Sequence, residues 1–181
     1  MASYRYQLDR ILESAGMADV VEGVMDVDDF SLGSMHYAIP EGIEYSVTLS
    51  NVGDAVVATG RASAEVHGEC VRCLEPASML IEADVEGYYA LGEESDLEGL
   101  EEDEYEFVGE DGAIDLFDAV YSSIVVEMPT IFLCREDCLG LCPKCGCNRN
   151  VEQCGCADEI DESNPFAALK DLFKDDGDGQ A

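Results

Sequence analysis

Cations are scarce in this chain: nine Lys and Arg stand against 41 Asp and Glu in 181 residues, with only two His, for a formal charge of −32. A surface so poor in bases argues against naked RNA as a partner over most of its area, because nucleic-acid affinity comes largely from cations that displace counterions from phosphate. Long apolar runs are missing too. The opening "MASYRYQLDRILESAG" scatters charge where a signal peptide or anchor needs an apolar stretch, and no later segment approaches the length of a membrane span. There is no phosphate-cradling glycine loop and no Cys/His nucleophile arrangement. These absences describe a cytoplasmic chain with no membrane partner, no small-molecule substrate and no catalytic residues.

Acid and, locally, cysteine are what the chain has in excess. The acidity serves solubility in its plainest reading and a basic protein partner in its sharper one. Seven of the nine cysteines crowd into "CREDCLGLCPKCGCNRNVEQCGC", Cys134 to Cys156, and the other two are Cys70 and Cys73. In a reducing compartment such clusters read as metal ligands, and an odd count argues against a closed disulfide set.

Hydropathy patterning predicts an α+β fold: an antiparallel sheet or open barrel over 20–108, covered by one long helix and followed by a C-terminal zinc-binding nodule. In "IEYSVTLS" Ile43, Tyr45, Val47 and Leu49 alternate with polar residues, the period of a half-buried strand. After the turn "NVGD" the alternation resumes through Val56, Ala58, Ala62, Ala64 and Val66, and again beyond "CVRCLEPA" through Met79, Ile81, Ala83 and Val85. Cys70 and Cys73 therefore sit at the tip joining two long strands. Gly60 and Ala62 suit tight coiling of the sheet or the close approach of another element. Val20–Leu32 reads as a further strand. Residues 1–19 suggest a short helical segment, with Tyr6, Ile11 and Leu12 as its apolar positions.

The stretch 92–112 reads as an acidic loop, with "EYEFV" as a short edge strand. From Leu116 to Met128 apolar residues recur at three- and four-residue steps, which predicts a helix over 115–128, capped by Asp115 and ended by Pro129. These limits divide the chain into an N-terminal segment (1–19), an α+β domain (20–130), a zinc nodule (131–160), a docked C-terminal helix (161–174) starting at Asn164 and Pro165, and a disordered tail (175–181).

The cysteines form four close pairs: Cys70 with Cys73, Cys134 with Cys138, Cys142 with Cys145, and Cys154 with Cys156. Zinc takes four thiolates in a tetrahedron, and a pair two to four residues apart supplies two from one tight turn, so four pairs make about two structural zinc sites. Two pairings are open. Cys142, Cys145, Cys154 and Cys156 close a local site, leaving Cys134 and Cys138 to meet Cys70 and Cys73; or Cys70, Cys73, Cys142 and Cys145 combine, leaving the rest to a second ion. Local closure costs less chain entropy and favours the first. Cys147 is left over in both. His67 lies on a polar strand face and reads as a surface residue, and His36 has no ligand neighbours. All-cysteine sets are usually closed and structural, which argues against an enzyme.

The hairpin tip "CVRCLEP", the helix end "VVEMPTIFLCREDC", the run "GLCPKCGCNRN" with its following "CGC", and the closing "NPFAALKDLF" together resemble the YceD-like proteins of bacteria, over roughly Val20 to Phe173. The resemblance implies a part in accumulation of 23S large-subunit ribosomal RNA, through its synthesis, processing or stability, with no catalytic activity. It makes ribosomal precursor components the expected partners. Cys147 departs from the family's pattern. Four of the nine bases, Arg72, Arg135, Lys144 and Arg149, lie among the cysteines and are the candidate RNA contacts; they serve equally to offset thiolate charge, since two four-thiolate zinc sites take the formal charge from −32 to −36. The overall charge favours a basic large-subunit ribosomal protein over naked rRNA. The alternative is a zinc-thiolate redox-sensing adaptor with a basic protein partner; a metal-dependent nuclease ranks third.

Overall fold

The computed structural model describes residues 4–92 and 105–156. The chain divides into two compact units, Met1–Cys138 and Leu139–Ala181. The docked helix read over 161–174, the tail at 175–181 and most of the acidic loop lie outside the described residues.

The first unit is built on a seven-stranded sheet whose organising strand, β6, runs from Ala55 to Glu69. Along one edge it pairs throughout with antiparallel β7, Pro76–Ala90. Along the other it takes antiparallel β5, Ile43–Asn51, over its first half and β4, Met35–Ala38, near its far end through Ala38 and His67. Beyond β5 lies β2, Ala18–Met25, and beyond β4 lies β3, Asp29–Leu32. Register carries the alternating apolar set onto one face: Val47, Gly60 and Val85 stand in line, as do Leu49, Ala58 and Gly87. Val47, Leu49, Ala58, Ala62, Ala64, Ile81, Ala83 and Val85 are all buried there, while Glu44, Thr59, Arg61, Glu82 and Asp84 face out. A Cβ at Gly60 would run into the Ser46 carbonyl oxygen, so β5 pairs here too closely for any side chain.

One helix, α1 at Phe117–Glu127, covers the inner face. Leu116, Val120, Ile124 and Met128, spaced four apart, form its buried row, and the helix lies chiefly on β7. At Gly87 a Cβ would meet Tyr89 and the Ala119 methyl, so the missing side chain lets helix and strand close up. The helix begins two residues later than the pattern predicts, because Asp115 belongs to a strand, β9 at Ala113–Asp115. Its carboxylate still accepts the Phe117 N–H at 3.0 Å. Met128 turns extended ahead of Pro129, as a residue before proline must.

Two expectations need correction. Residues 4–19 form no α-helix: Arg5–Gln7 is a strand, β1, paired with β9, followed by a single 3₁₀ turn at Ile11–Glu13. Tyr6 turns inward between exposed Arg5 and Gln7, a period of two too short to register locally, and its pairing partner lies more than a hundred residues away. Val20–Leu32 is two strands, because the chain leaves β5 after Met25 and forms a hairpin with β4 through a turn at Gly33, where φ is +61°. The short edge strand read in "EYEFV" is β8, Glu106–Phe107, and it runs parallel to β7.

Candidate metal centres

The turn between β6 and β7 folds back on itself in a defined way. The Leu74 N–H donates to the Cys70 carbonyl at 2.8 Å and the Cys70 N–H to the Glu75 carbonyl at 2.9 Å, with Leu74 held at φ +61°. The same knuckle recurs in the second unit. There the Gly146 N–H donates to the Cys142 carbonyl at 2.8 Å and the Cys142 N–H to the Cys147 carbonyl at 2.8 Å, with Gly146 at φ +75°. Each knuckle presents two thiols, three residues apart, on one side of a tight loop. This is also what Cys147 does: it closes the second knuckle through its carbonyl, as Glu75 closes the first. The repeat was hidden in sequence because Leu74 stands where the second copy has glycine.

Each knuckle is completed by another pair. Cys70, Cys73, Cys134 and Cys138 bring their sulfurs within 4.8 Å of one another, and Cys142, Cys145, Cys154 and Cys156 do the same. Of the two pairings left open by sequence, these are the quartets of the first. The hairpin-tip quartet lies wholly in the first unit: the Val71 N–H donates to the Phe132 carbonyl at 3.0 Å, which brings the segment after α1 against the tip. Cys70, Cys73 and Cys138 are buried there and Cys134 is exposed.

Sulfur spacing tests what the quartets can hold. Cys70 and Cys138 stand 3.8 Å apart and Cys73 and Cys134 3.7 Å, far beyond a disulfide bond of about 2 Å. A tetrahedral ion with bonds of about 2.3 Å to sulfur requires sulfurs about 3.8 Å apart, which is the spacing of these two pairs.

Proton affinities differ sharply within each quartet. At Cys70 burial opposes ionisation, but the N–H groups of Cys134, Cys73 and Arg72 outweigh it and hold the thiol at about 6. Cys134 is pushed up to about 12 by loss of water and by its thiol neighbours. In the second quartet the N–H groups of Cys145 and Lys144 hold Cys142 at about 6, whereas Cys156 is pushed up to about 12, first by Cys145 and then by burial. One thiolate in each set therefore forms readily and resists the next. A divalent cation removes that resistance.

The four candidate RNA-contacting bases divide two to each unit. Arg72 donates to the Cys138 carbonyl at 3.0 Å, across the hairpin-tip quartet, and Arg135 pairs with Asp137 at 3.2 Å. Lys144 and Arg149 line a recess beside Cys142, Cys154 and Cys156. For Arg72 the structural duty is direct. His67 pairs with Glu65 at 3.6 Å and His36 faces the Ser31 hydroxyl at 3.3 Å; neither joins a quartet.

A mostly antiparallel sheet under one helix in the first unit, with one thiol quartet in each unit that could hold a metal ion, defines the class as a mainly β protein with two cysteine clusters. The chain belongs to the family described as large ribosomal RNA subunit accumulation protein YceD, whose model matches residues 58–173 and so takes in all nine cysteines. It is similar to an uncharacterized protein of Mycobacterium tuberculosis (strain ATCC 25618 / H37Rv), 34% identical over 111 residues, which are 60% of this chain and 53% of that protein. It is similar also to one of Mycobacterium leprae (strain TN), 31% identical over 134 residues, 74% of this chain and 60% of that protein. The chain thus spans little more than half the length of the curated relatives it matches. No solved structure matches it. No helix among the described residues is long and apolar enough to cross a membrane.

Proposed function

We propose that the protein is a non-enzymatic ribosome biogenesis factor that supports accumulation of 23S large-subunit rRNA in the cytoplasm. Membership of the family over residues 58–173 carries this reading. Its two quartets hold structural zinc, the ion whose tetrahedral four-sulfur coordination matches the sulfur spacing and whose closed shell leaves no position for a reacting water. Its partner is a basic large-subunit ribosomal protein rather than naked rRNA. The formal charge of −32 supports this, as does the engagement of Arg72 and Arg135 with neighbouring groups of the protein itself.

Cells lacking the protein should show a lowered ratio of 23S to small-subunit rRNA, restored by the intact chain and not by a Cys70→Ser/Cys73→Ser variant. Purified protein should retain basic large-subunit proteins, with an affinity that falls as added salt shortens the reach of surface charge, to about 8 Å at physiological ionic strength. An unchanged rRNA ratio sinks the reading, and tight binding to 23S fragments at physiological salt without affinity for any basic ribosomal protein overturns the choice of partner.

A second reading, a zinc-thiolate redox-sensing adaptor, draws on Cys147. This fifth thiol of the second unit lies outside the quartet of Cys142, Cys145, Cys154 and Cys156, which leaves it as a thiol that zinc does not occupy. Zinc release by mild peroxide with simultaneous loss of the partner separates this reading from the first.

A further inference from the structure

Among the described residues, the outer edge of β7 is paired only at Tyr89 and Ala90, by β8. From Pro76 to Tyr88 it offers a row of backbone donors and acceptors with no described strand beside it, the template on which an extended peptide adds a strand. A groove lies beside the Asp84–Tyr89 end of this edge, between β7 and α1, with Tyr88 and Tyr105 in its walls and Ser122 and Ser123 on the helix side. Asp84, Glu86, Glu106, Asp118 and Glu127 line it, with no Lys, Arg or His. Glu106 shows the accumulated potential: loss of water, then Asp118 and Asp115, raise its pKa.

We propose that this edge is a docking site for an extended, Lys/Arg-rich polypeptide segment, which adds to β7 by backbone pairing and sets alternate cationic side chains against the groove's carboxylates. The inference rests on the proposed role and gives its basic protein partner a place of attachment. Charge selects the occupant. The chain's own segments outside the described residues are acidic: 93–104 contains no base, and 157–181 has two lysines among eight acids. A second copy brings another −32. The same carboxylates that turn away both of these attract a cationic strand, so the acids guard the edge against self-association while leaving it open to one class of partner.

The test uses the full chain and a fluorescent peptide of about ten residues that alternates lysine with valine, a typical strand length. Its control carries the same lysines with proline in place of the valines, which keeps the charge and removes the backbone donors at those positions. The alternating peptide should bind about tenfold more tightly than the control and slow amide exchange between Ala77 and Tyr88. Asp84→Lys/Glu86→Lys should weaken it about tenfold or more. Asp84 is already paired with Arg61 at 3.6 Å in solvent, so Glu127→Lys on the helix wall provides a second, independent reversal should the first variant misfold. Equal binding of the two peptides, protection confined to other strands, or dimers formed through this edge would overturn the assignment. If the peptide fails while basic large-subunit proteins are still retained, the edge assignment falls and the assembly role stands. If deletion leaves the rRNA ratio unchanged while the peptide still pairs with β7, the role falls and the edge stands.

Discussion

Leu74 and Gly60 show how differently one backbone atom's surroundings set the tolerance of a position. Leu74 holds φ +61° because the first knuckle must turn there, a conformation that costs a non-glycine residue about 1 kcal/mol or more. Glycine removes that strain but gives back about 0.5–1 kcal/mol through its freer unfolded chain. Leu74→Gly should therefore be at least as stable as the parent, while Leu74→Val, β-branched in a left-handed turn, should be less stable. Gly60 lies under no such φ constraint, yet its Cβ position is taken by the Ser46 carbonyl oxygen. Gly60→Ala should cost about 1–3 kcal/mol, since only a backbone shift in β5 can make room. Denaturant melts of the three variants check the pair of claims; a Leu74→Gly protein weaker than Leu74→Val would contradict the strain argument.

Elements were legible where their pattern was long and their partners near. The alternation of β5, β6 and β7 runs for 9, 15 and 15 residues, enough for the period of two to identify both the strands and their buried face. Three-residue β1 carries one inward side chain, and what makes it a strand is β9, outside any local window. The cysteine pairs were visible as pairs and chain entropy favoured this grouping, but the contact of Cys70 with Cys138 spans 68 residues and depends on where α1 delivers the chain, so pattern alone left the other grouping open. At β8 the packing has a pH signature. The raised Glu106 pKa means the fold favours its uncharged form, a contribution present below the ordinary carboxylate value of 4.5 and lost as pH rises through the raised one. Glu106→Gln should thus melt higher than the parent near neutral pH, with the gap closing on acidification toward pH 4.5 and below. A gap that is constant or widens in acid would assign the effect to packing instead of charge.

At the scale of the whole molecule, the division after Cys138 gives each unit one complete quartet, with no ligand shared. Metal bound at each quartet would stabilise the two units separately, because an ion that binds only the folded site adds its binding free energy to that unit alone. In the first unit the quartet ties the β6–β7 tip to the chain leaving α1, so its loss should be felt by the sheet. Cys73→Ser should lower zinc content by about one ion per chain, from about two, and destabilise the sheet by about 3 kcal/mol, the effect of a ligand present at a hundredfold excess over its dissociation constant. Cys142→Ser should lose one ion as well while leaving the sheet's unfolding where it was. Metal analysis of protein purified without chelator, paired with unfolding followed through the β-sheet signal, makes both comparisons. The contrast between the two variants is the decisive quantity: an equal loss of sheet stability would mean that the quartets are energetically coupled across the division, and fewer than one ion per parent chain would remove the metal from the account altogether.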